Sequence, residues 1–383
     1  MRKVALITSV FILATSAHAN SEAPSRIAFV HECDVGQRVR LAAVGDLLFH
    51  NTLEKEALAE GGSYRQFWNP VQSAFDDSDI VYGNLEGTVA NDIALGGLEV
   101  REPGRRADTV YAVPDWLFNF NYHPSLIDDL IASGFKIVST ANNHALDRGI
   151  LGVARTIDNL RSRGLKFSGT SKGPEIDGPF STSVQIKGFR LAFVACTAFT
   201  NAPDSPATHV LRCYDQRERL ISEIRKLSAD ATIDAVIFTP HWGIEYAAIP
   251  DTRQRTLARD AVKAGADLII GTHPHTLQPW EKIEVDGREA LVIYSTGNFI
   301  SGMQSTSARR GIIVLVWFVK LRPNGKALLA SAGYIQTRVE FPPYRVTEDK
   351  SNTDPILPPP NRLTLRMGQQ WRDLCGDRGL PRN

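Results

Sequence analysis

The stretch Gly271-Thr272-His273-Pro274-His275 follows directly on an apolar, β-forming run that begins at Leu268. The same arrangement, a polar motif after an apolar run, recurs in Gly45-Asp46 with nearby His50, in Asn142-Asn143-His144 and in Pro240-His241-Trp242-Gly243. Parallel strands end at one edge of a sheet, where their loops point side chains into a common crevice. Neutral imidazole and carboxylate groups suit divalent Zn, Mn or Fe. The sequence therefore predicts a metal site carried on a sheet.

Short apolar runs alternate with segments of helical spacing along most of the chain. The runs, typical of strands buried on both faces, fall at 40–48, 80–84, 136–140, 191–196, 235–239, 268–271 and 290–295. Helical spacing falls between them at 124–133, 152–162, 215–227 and 252–264. Segments 311–320 and 327–339, joined at Pro323-Asn324-Gly325, are predicted to form an antiparallel pair. This order predicts an α/β layered fold with ligand-bearing loops on one edge.

Residues 1–19 have the features of a cleaved signal peptide. Arg2 and Lys3 are positive, residues 4–15 are apolar, and Ala17-His18-Ala19 is a small-x-small cleavage site. A retained membrane anchor is the alternative, but the apolar run is shorter than the about 20 residues that span a bilayer. We expect a bacterial periplasmic or secreted protein with no transmembrane segment after cleavage.

The four cysteines, Cys33, Cys196, Cys213 and Cys375, all lie beyond this peptide. An oxidising compartment favours disulfides between them, and three pairings are possible. We favour Cys196–Cys213, which closes a short loop, together with Cys33–Cys375, which ties the two ends of the chain. None of them lies in a Cys-x-x-Cys motif, so a cysteine metal site or redox motif is not expected.

The composition is that of an ordinary globular protein, with 43% hydrophobic and 22% charged residues. Lys and Arg number 43 against 42 Asp and Glu, so there is no basic field for nucleic acid. No linker divides the middle of the chain. The clear shift in composition is the proline-rich segment 354–360, within a tail, 346–383, that we expect to pack on the preceding domain.

Six motifs occur in an order that resembles one known family. They are Gly45-Asp46, Asn84-Leu85-Glu86, Ala141-Asn142-Asn143-His144-Ala145-Leu146-Asp147-Arg148-Gly149, His241-Trp242-Gly243-Ile244-Glu245-Tyr246, Gly271-Thr272-His273-Pro274-His275 and Tyr294-Ser295-Thr296-Gly297-Asn298-Phe299. Together they resemble the CapA family, the poly-γ-glutamate capsule biosynthesis proteins, within the calcineurin-like metallophosphatase superfamily. The resemblance covers residues 38–345 and implies a CapA-like domain with those bounds.

The resemblance also implies a fold and a metal centre. The fold is a four-layer αββα sandwich of metallophosphatase type, an α/β architecture. The centre holds one or two divalent ions, Mn, Zn or Fe, at the strand ends. The implied ligands, residue by residue, are Asp46, Glu86, Asn143, His241, His273 and His275. The implied catalytic residues are His144, Asp46 and Glu86, with His144 as the general acid.

Two positions depart from the superfamily pattern. Leu48 stands where superfamily phosphatases usually carry the histidine of an Asp-x-His motif. The usual bridging aspartate falls near Asn84 or Glu86. A neutral amide oxygen of Asn84 cannot offset the repulsion between two cations, whereas Glu86 can if its loop brings it in. The number of ions therefore stays open.

Several of these residues also have a purely structural explanation. Asn143 and His144 suit the N-terminus of a helix, and His241 after Pro240 is compatible with a core histidine. His50 is the weakest candidate ligand and is expected at the entrance. Residues expected to contact substrate are Glu245, Tyr246, Asn298, Arg101 and Arg105. The two arginines belong to a long loop, 87–123, that is either a cationic lid or solvated surface.

A metal centre of this kind predicts hydrolytic chemistry, because a divalent ion lowers the pKa of bound water from 15.7 toward roughly 7. We expect an exported, metal-dependent hydrolase-like protein acting in synthesis or processing of a capsule or envelope polymer of the poly-γ-glutamate type. The bond that it hydrolyses is expected to be a phosphoester, a γ-glutamyl amide or a glycosidic bond. All three stay open, because the fold alone does not fix the substrate. The alternatives are a non-catalytic assembly factor that binds a polyanionic polymer, and a periplasmic carbohydrate hydrolase on the same scaffold. An anionic polymer or a small molecule is the expected partner, with envelope-assembly proteins as further candidates.

Overall fold

The computed structural model describes residues 27–32, 34–101, 104, 110–111, 113–173, 180–203, 209–350 and 354–357. Within these ranges the helices are α1 (Asn51–Leu58), α2 (Gln72–Asp76), α3 (Ser125–Ala132), α4 (Gly149–Arg163), α5 (Arg217–Ala229) and α6 (Thr252–Ala264). The strands are β1 (Gln37–Leu47), β2 (Ile80–Leu85), β3 (Phe135–Ser139), β4 (Lys166–Ser168), β5 (Ser181–Ile186), β6 (Phe189–Thr197), β7 (Ala235–His241), β8 (Leu268–Ile270), β9 (Trp280–Val285), β10 (Arg288–Ile293), β11 (Asn298–Ile300), β12 (Arg310–Lys320), β13 (Leu328–Glu340) and β14 (Arg345–Glu348).

The strands of the described residues form two sheets. The first has the order β14-β13-β12-β1-β2-β3-β4, with β11 paired to the end of β1. Its β1 to β4 run parallel, and β12 pairs antiparallel with β1 and β13. The second sheet has the order β5-β6-β7-β8-β10-β9, with a parallel centre and antiparallel edges. Each sheet thus has a set of parallel strands whose carboxyl ends share an edge.

The two sheets face each other and helices cover both outer faces. Tyr82 of β2 stacks on Phe193 of β6 across the interior, with ring centroids 5.9 Å apart. Phe75 of α2 and Leu126 of α3 pack on the outer face of the first sheet. Leu257 of α6 packs on the second. Each such fully buried side chain stabilises the fold by about 1.5–3 kcal/mol. The predicted four-layer αββα sandwich is confirmed.

Helix α6 shows how local sequence sets the bounds of an element. The Asp251 carboxylate accepts the N–H of Gln254 at 2.8 Å, and the Gln254 amide oxygen accepts the N–H of Asp251 at 2.9 Å. This capping box satisfies two backbone donors that the first turn leaves free. The helix ends at Gly265, whose φ of 118° lies in the left-handed region that glycine tolerates. The predicted bounds of this helix, 252–264, are confirmed.

The other predicted elements are also present, and the structure adds several that the sequence did not reveal. The predicted strands correspond to β1, β2, β3, β6, β7, β8 and β10, the helices to α3–α6, and the antiparallel pair to β12 and β13. Edge strands β5 and β9 are half-exposed and polar, so they lack a continuous apolar run. Helix α1 was missed because it buries Glu54, which accepts the Tyr64 hydroxyl at 2.6 Å.

The two ends of the chain fall only partly within the described residues. Residues 1–26, and with them the expected signal peptide, lie outside. In the tail, Leu357 is buried in the interior between the sheets and Ile356 packs against it. Strand β14 spans the expected domain boundary at 345. No helix of the described residues is both long enough and apolar enough to cross a membrane.

A disulfide between Cys196 and Cys213 joins the end of β6 to the segment that leads into α5. Both cysteines are buried among apolar side chains of the second sheet. Backbone bonds reinforce the link, since Cys213 N–H donates to the Thr197 carbonyl at 2.8 Å. This predicted pairing is confirmed. Cys33 and Cys375 lie outside the described residues.

Replacing both Cys196 and Cys213 by Ala should lower the free energy of unfolding by about 3 kcal/mol. The bond spans a sequence separation of 17 residues. Cross-linking a loop of about 15 residues removes entropy from the unfolded state and raises its free energy by about that much. Urea unfolding of the variant and the parent under non-reducing conditions, followed by circular dichroism, measures the difference. An unchanged unfolding midpoint would contradict the expected contribution.

Candidate metal centre

The predicted site residues lie where the carboxyl ends of parallel strands from both sheets meet. Asp46, near the end of β1, stands in register with Asn84 of β2. His241 ends β7 and forms a backbone bridge with Thr272 beyond β8. The loops after β2, β3 and β8 carry Glu86, then Asn143 and His144, then His273 and His275. Residues far apart in sequence thus share one edge of the sandwich.

Two glycines permit the close backbone approaches on which the site depends. A Cβ at Gly45 would lie 1.8 Å from the carbonyl oxygen of Gly297, the same oxygen that accepts the N–H of Asp46 at 3.3 Å. A Cβ at Gly271 would lie 2.1 Å from the carbonyl oxygen of Tyr294. Both obstacles are backbone atoms that cannot move aside, so only glycine fits. This explains why glycines precede Asp46 and the His-x-His motif.

One group of donors surrounds Asp46. Its Oδ2 is 3.3 Å from Nδ1 of His275, which is also 2.9 Å from Oδ1 of Asn298. Its Oδ1 accepts a hydrogen bond from Nδ2 of Asn84 at 2.8 Å. Asp46, Glu86 and His275 each offer a ligand atom within 4.8 Å of one another. Asn84 therefore supports Asp46, and Glu86 is the second carboxylate of this group.

A second group surrounds His241. Its Nε2 is 2.9 Å from Oδ1 of Asn143 and 3.1 Å from Nδ1 of His273. Its Nδ1 is 3.0 Å from the hydroxyl of Thr272. That contact fixes the orientation of the ring, as partners of a ligating histidine do. One oxygen donor and one nitrogen donor thus lie within 3.1 Å of Nε2 of His241.

Glu86 lies between the two groups. Its Oε1 is 3.6 Å from Nε2 of His241 and 3.8 Å from Nε2 of His275. The carboxylate is fully buried, and neither oxygen accepts a hydrogen bond from the described residues. A buried carboxylate is costly unless it is paired or coordinates a cation. With imidazole and amide donors around it, the arrangement fits a divalent cation.

The pKa values of the residues in the crevice also fit a site for a divalent cation. Burial and then the neighbouring Asp46 raise the pKa of Glu86 well above its usual value. Burial alone would lower the pKa of His275, but Glu86 and Asp46 outweigh it and raise the pKa to about 10. Burial and His275 lower the pKa of His273 to about 4, and burial and His273 lower that of His241 far below its usual range. His241 and His273 are therefore neutral, while His275 holds a proton that a cation would displace.

His144 lies beside the ligand groups with its ring held on two sides. Its Nδ1 is 2.8 Å from Oδ2 of Asp147, and the Phe120 ring packs edge-on at a centroid distance of 4.7 Å. Nδ2 of Asn201 is 3.4 Å from both ring nitrogens. A carboxylate at Nδ1 holds the proton there and leaves Nε2 as the nitrogen that exchanges a proton with a ligand.

The residues expected to contact substrate fall into different positions. Glu245 and Tyr246 are exposed beside the crevice, and the Tyr246 ring centroid is 6.2 Å from that of His275. Asn298 is buried and contacts His275, so it positions a candidate ligand. Arg101 is exposed, and Arg105 lies outside the described residues.

His50 directly precedes α1 and contacts two other segments of the chain. Its Nδ1 accepts the N–H of Gly302 at 3.1 Å, and its ring packs on Phe120 at a centroid distance of 5.2 Å. His50 therefore supports Phe120, the ring that also packs against His144. The structure places it in this supporting position, apart from the two donor groups.

Three residues of the site were not identified from the sequence. Asp147 lies three residues after His144 within the quoted motif, and that spacing was a usable signal. Phe199 packs edge-on to His273 with ring centroids 5.2 Å apart. The N–H of Asn201 donates to the carbonyl of Asn143 at 2.8 Å. The loop that carries Phe199 and Asn201 has no motif of its own, so nothing in the sequence indicated it.

The fold and the site together define a class of protein: an αββα sandwich with a histidine and carboxylate crevice at its strand ends. The family model described as Bacterial capsule synthesis protein PGA_cap matches residues 40–303. The chain belongs to this family, and the predicted family resemblance is confirmed.

Two relatives carry related names. The capsule biosynthesis protein CapA of Bacillus anthracis is 27% identical over 305 residues, which cover 76% of this chain and 66% of the relative. The PGA biosynthesis protein CapA of Bacillus subtilis (strain 168) is 30% identical over 278 residues, which cover 71% of this chain and 65% of the relative. The chain thus matches slightly less than two thirds of the length of each relative.

Two solved structures are similar at low identity. The NAD nucleotidase NadN of Haemophilus influenzae is 10% identical with a TM-score of 0.41, covering 82% of this chain and 54% of that chain. The sulfate thiohydrolase SoxB of Thermus thermophilus is 12% identical with a TM-score of 0.42, covering 82% of this chain and 57% of that chain.

Binding of Mn²⁺ to the cation-free protein at about pH 7.5 should release at least about one proton. His275 has a pKa of about 10, so it is protonated at that pH and must lose its proton before it ligates. The same competition weakens binding as the pH falls. Calorimetric titration in buffers of different ionisation enthalpy measures the number of protons released. Binding that releases none would contradict a protonated His275 in the cation-free protein.

Proposed function

We propose that this protein is a divalent-cation-dependent hydrolase, exported from the cell, that acts on a capsule or envelope polymer of the poly-γ-glutamate type. The observation that carries the proposal is the buried Glu86 carboxylate, which accepts no hydrogen bond from the described residues and lies between His241 and His275. A divalent cation would pair with this group and would supply the hydrolytic chemistry.

The residues that would hold the cation come from both groups. They are Asp46, Glu86, Asn143, His241, His273 and His275. A bound divalent cation supplies Lewis acidity, which lowers the pKa of a coordinated water from 15.7 toward about 7. The surrounding side chains exclude bulk water, since all six are almost fully buried. Their burial strengthens every electrostatic interaction inside the crevice.

His144 supplies the proton that the leaving group needs. Asp147 fixes the Nδ1 proton of its ring, and Phe120 and Asn201 hold the ring in place. When the ring carries a proton on both nitrogens, the Nε2 proton is the one that would pass to the leaving oxygen or nitrogen, and Nδ1 would keep the proton that it shares with Asp147. A positioned general acid contributes about 10²–10⁴ to a rate.

The substrate class and the location of the protein are proposed on separate grounds. Membership of the capsule synthesis family supports an envelope polymer. The disulfide Cys196–Cys213 supports an oxidising compartment, as do the signal-peptide features of residues 1–19. The proposed partners are an anionic polymer and proteins of envelope assembly.

A second candidate function is a non-catalytic assembly factor that binds a polyanionic polymer. One observation favours it: Leu48 takes the place of the histidine of the first motif, and its side chain is buried in the core under the helices. The first group therefore has one donor fewer than the superfamily pattern. Such a protein would keep the cation for binding and turn over no substrate.

Replacing His273 and His275 together by Ala should abolish stoichiometric binding of Mn²⁺ and leave the fold intact. Each ligand group loses one member, while the core strands are untouched. Elemental analysis after gel filtration measures the metal, and circular dichroism checks the fold. His31→Ala is the matched control, because His31 pairs with Asp34 ahead of β1. Unchanged metal affinity in the double variant would refute the metal centre.

Replacing His144 by Ala should lower kcat by about 10²–10⁴ while the metal content stays unchanged. The measurement begins with a substrate screen across phosphodiesters, γ-glutamyl peptides and glycans with the metal-loaded protein. Activity that responds to both chelation and His144→Ala supports the hydrolase. Polymer binding without turnover in any of the three arms would favour the assembly factor.

A further inference from the structure

The loop 243–249, which follows β7, brings an exposed carboxylate to the mouth of the candidate metal centre. Glu245 offers an oxygen within 4.8 Å of a ring nitrogen of His273 and of His275, which lie as close to each other. Asp46 and Glu86, the other carboxylates of the centre, are fully buried. The two histidines therefore have two carboxylates on their interior side and one on their solvent side.

The loop is tied to the site by buried contacts. The N–H of Tyr246 donates to the carbonyl of Pro274, between the two histidines, at 2.7 Å. Nε2 of the buried Gln278 donates to the carbonyl of Ala247 at 2.8 Å. Gln278 in turn accepts from Nε2 of Gln254, the capping residue of α6, at 2.9 Å. Glu245 is thus carried on backbone that is fastened on its C-terminal side.

The backbone has an unusual conformation both next to Glu245 and at the two histidines near it. Tyr246 has a φ of 64°, and His273 and His275 have φ values of 96° and 54°. Residues other than glycine rarely adopt a positive φ. Those that do are concentrated at functional sites. Tyr246, which follows Glu245, and the two histidines near Glu245 therefore all have a positive φ.

A centre with two cations needs more negative charge and more donors than the buried residues supply, and Glu245 can provide both. Two divalent cations carry four positive charges, and the buried Asp46 and Glu86 offset two. Leu48 offers no donor and is directed into the core, with 1% of its surface exposed. A third carboxylate that reaches both histidines supplies a further donor and further negative charge.

We infer that Glu245 is a metal ligand that completes a second cation position on the solvent side of His273 and His275. The inference rests on the proposed function, because it requires that the centre holds a cation. It assigns Glu245 a different role from the substrate contact expected from the sequence. The buried Glu86 and the exposed Glu245 then hold the two cations from opposite sides.

The test is the stoichiometry and affinity of Mn²⁺ binding to purified, cation-free protein, measured by calorimetry and by elemental analysis. Three proteins are compared: the parent, Glu245→Gln, and Glu218→Gln. Glu218 is exposed in the first turn of α5 and serves as the matched control. Gln keeps the size of the side chain and removes its charge, and thermal unfolding verifies that each variant is folded.

We expect two bound ions in the parent and in Glu218→Gln. In Glu245→Gln one ion should bind as in the parent, and the other should weaken by at least about tenfold, the lower bound for losing even a partner of a metal ligand. Two ions with parental affinities in Glu245→Gln would overturn the inference, as would a single ion in the parent. In both cases the proposed function survives, since one cation is retained. A parent that binds no Mn²⁺ would instead refute the proposed function itself.

Discussion

The side chain of Glu86 lies in the interior where the two sheets meet, and both donor groups of the site lie next to it. Asp46 reaches it from the first sheet, and His241 and His275 reach it from the second. Neither of its oxygens accepts a hydrogen bond from the N–H groups of the described residues, so a charged, buried carboxylate there is costly without a cation. A bound cation would offset this cost. Its ligands come from both sheets, so binding would depend on how the two sheets pack.

The backbone around the crevice is locally strained, and this strain costs free energy. Packing between the layers of the sandwich offsets that cost. Gly45 and Gly271 approach other backbone segments more closely than any side chain allows. His273 and His275 adopt positive φ values that cost on the order of 1–3 kcal/mol each. Rings such as Tyr82 and Phe193 pack between the sheets beneath the site. Strain concentrated at one edge and dense packing elsewhere is the pattern expected of a functional site.

Family membership and site geometry bear on different parts of the function. The family concerns the biology, synthesis of a bacterial capsule. The site concerns the chemistry: two donor groups share Glu86, and His144 is oriented by Asp147 beside them. Leu48, two residues after Asp46, is buried in the core and offers no donor to the site. A carboxylate from a different loop, Glu245, lies where it can compensate.

The sequence by itself determined the alternation of elements and the bounds of α6, and it indicated the candidate donors, because apolar periodicity, capping residues and short polar motifs are local features. It also indicated the edge on which the donors lie, since parallel strands end together. It left open whether Asn84 or Glu86 fills the central place, and it gave no sign of Phe199 or Asn201. It also missed edge strands β5 and β9, whose polar, half-exposed sequences have no apolar run. Only the tertiary structure decided these points, because distances between loops of two different sheets depend on how the sheets pack, which no local pattern encodes.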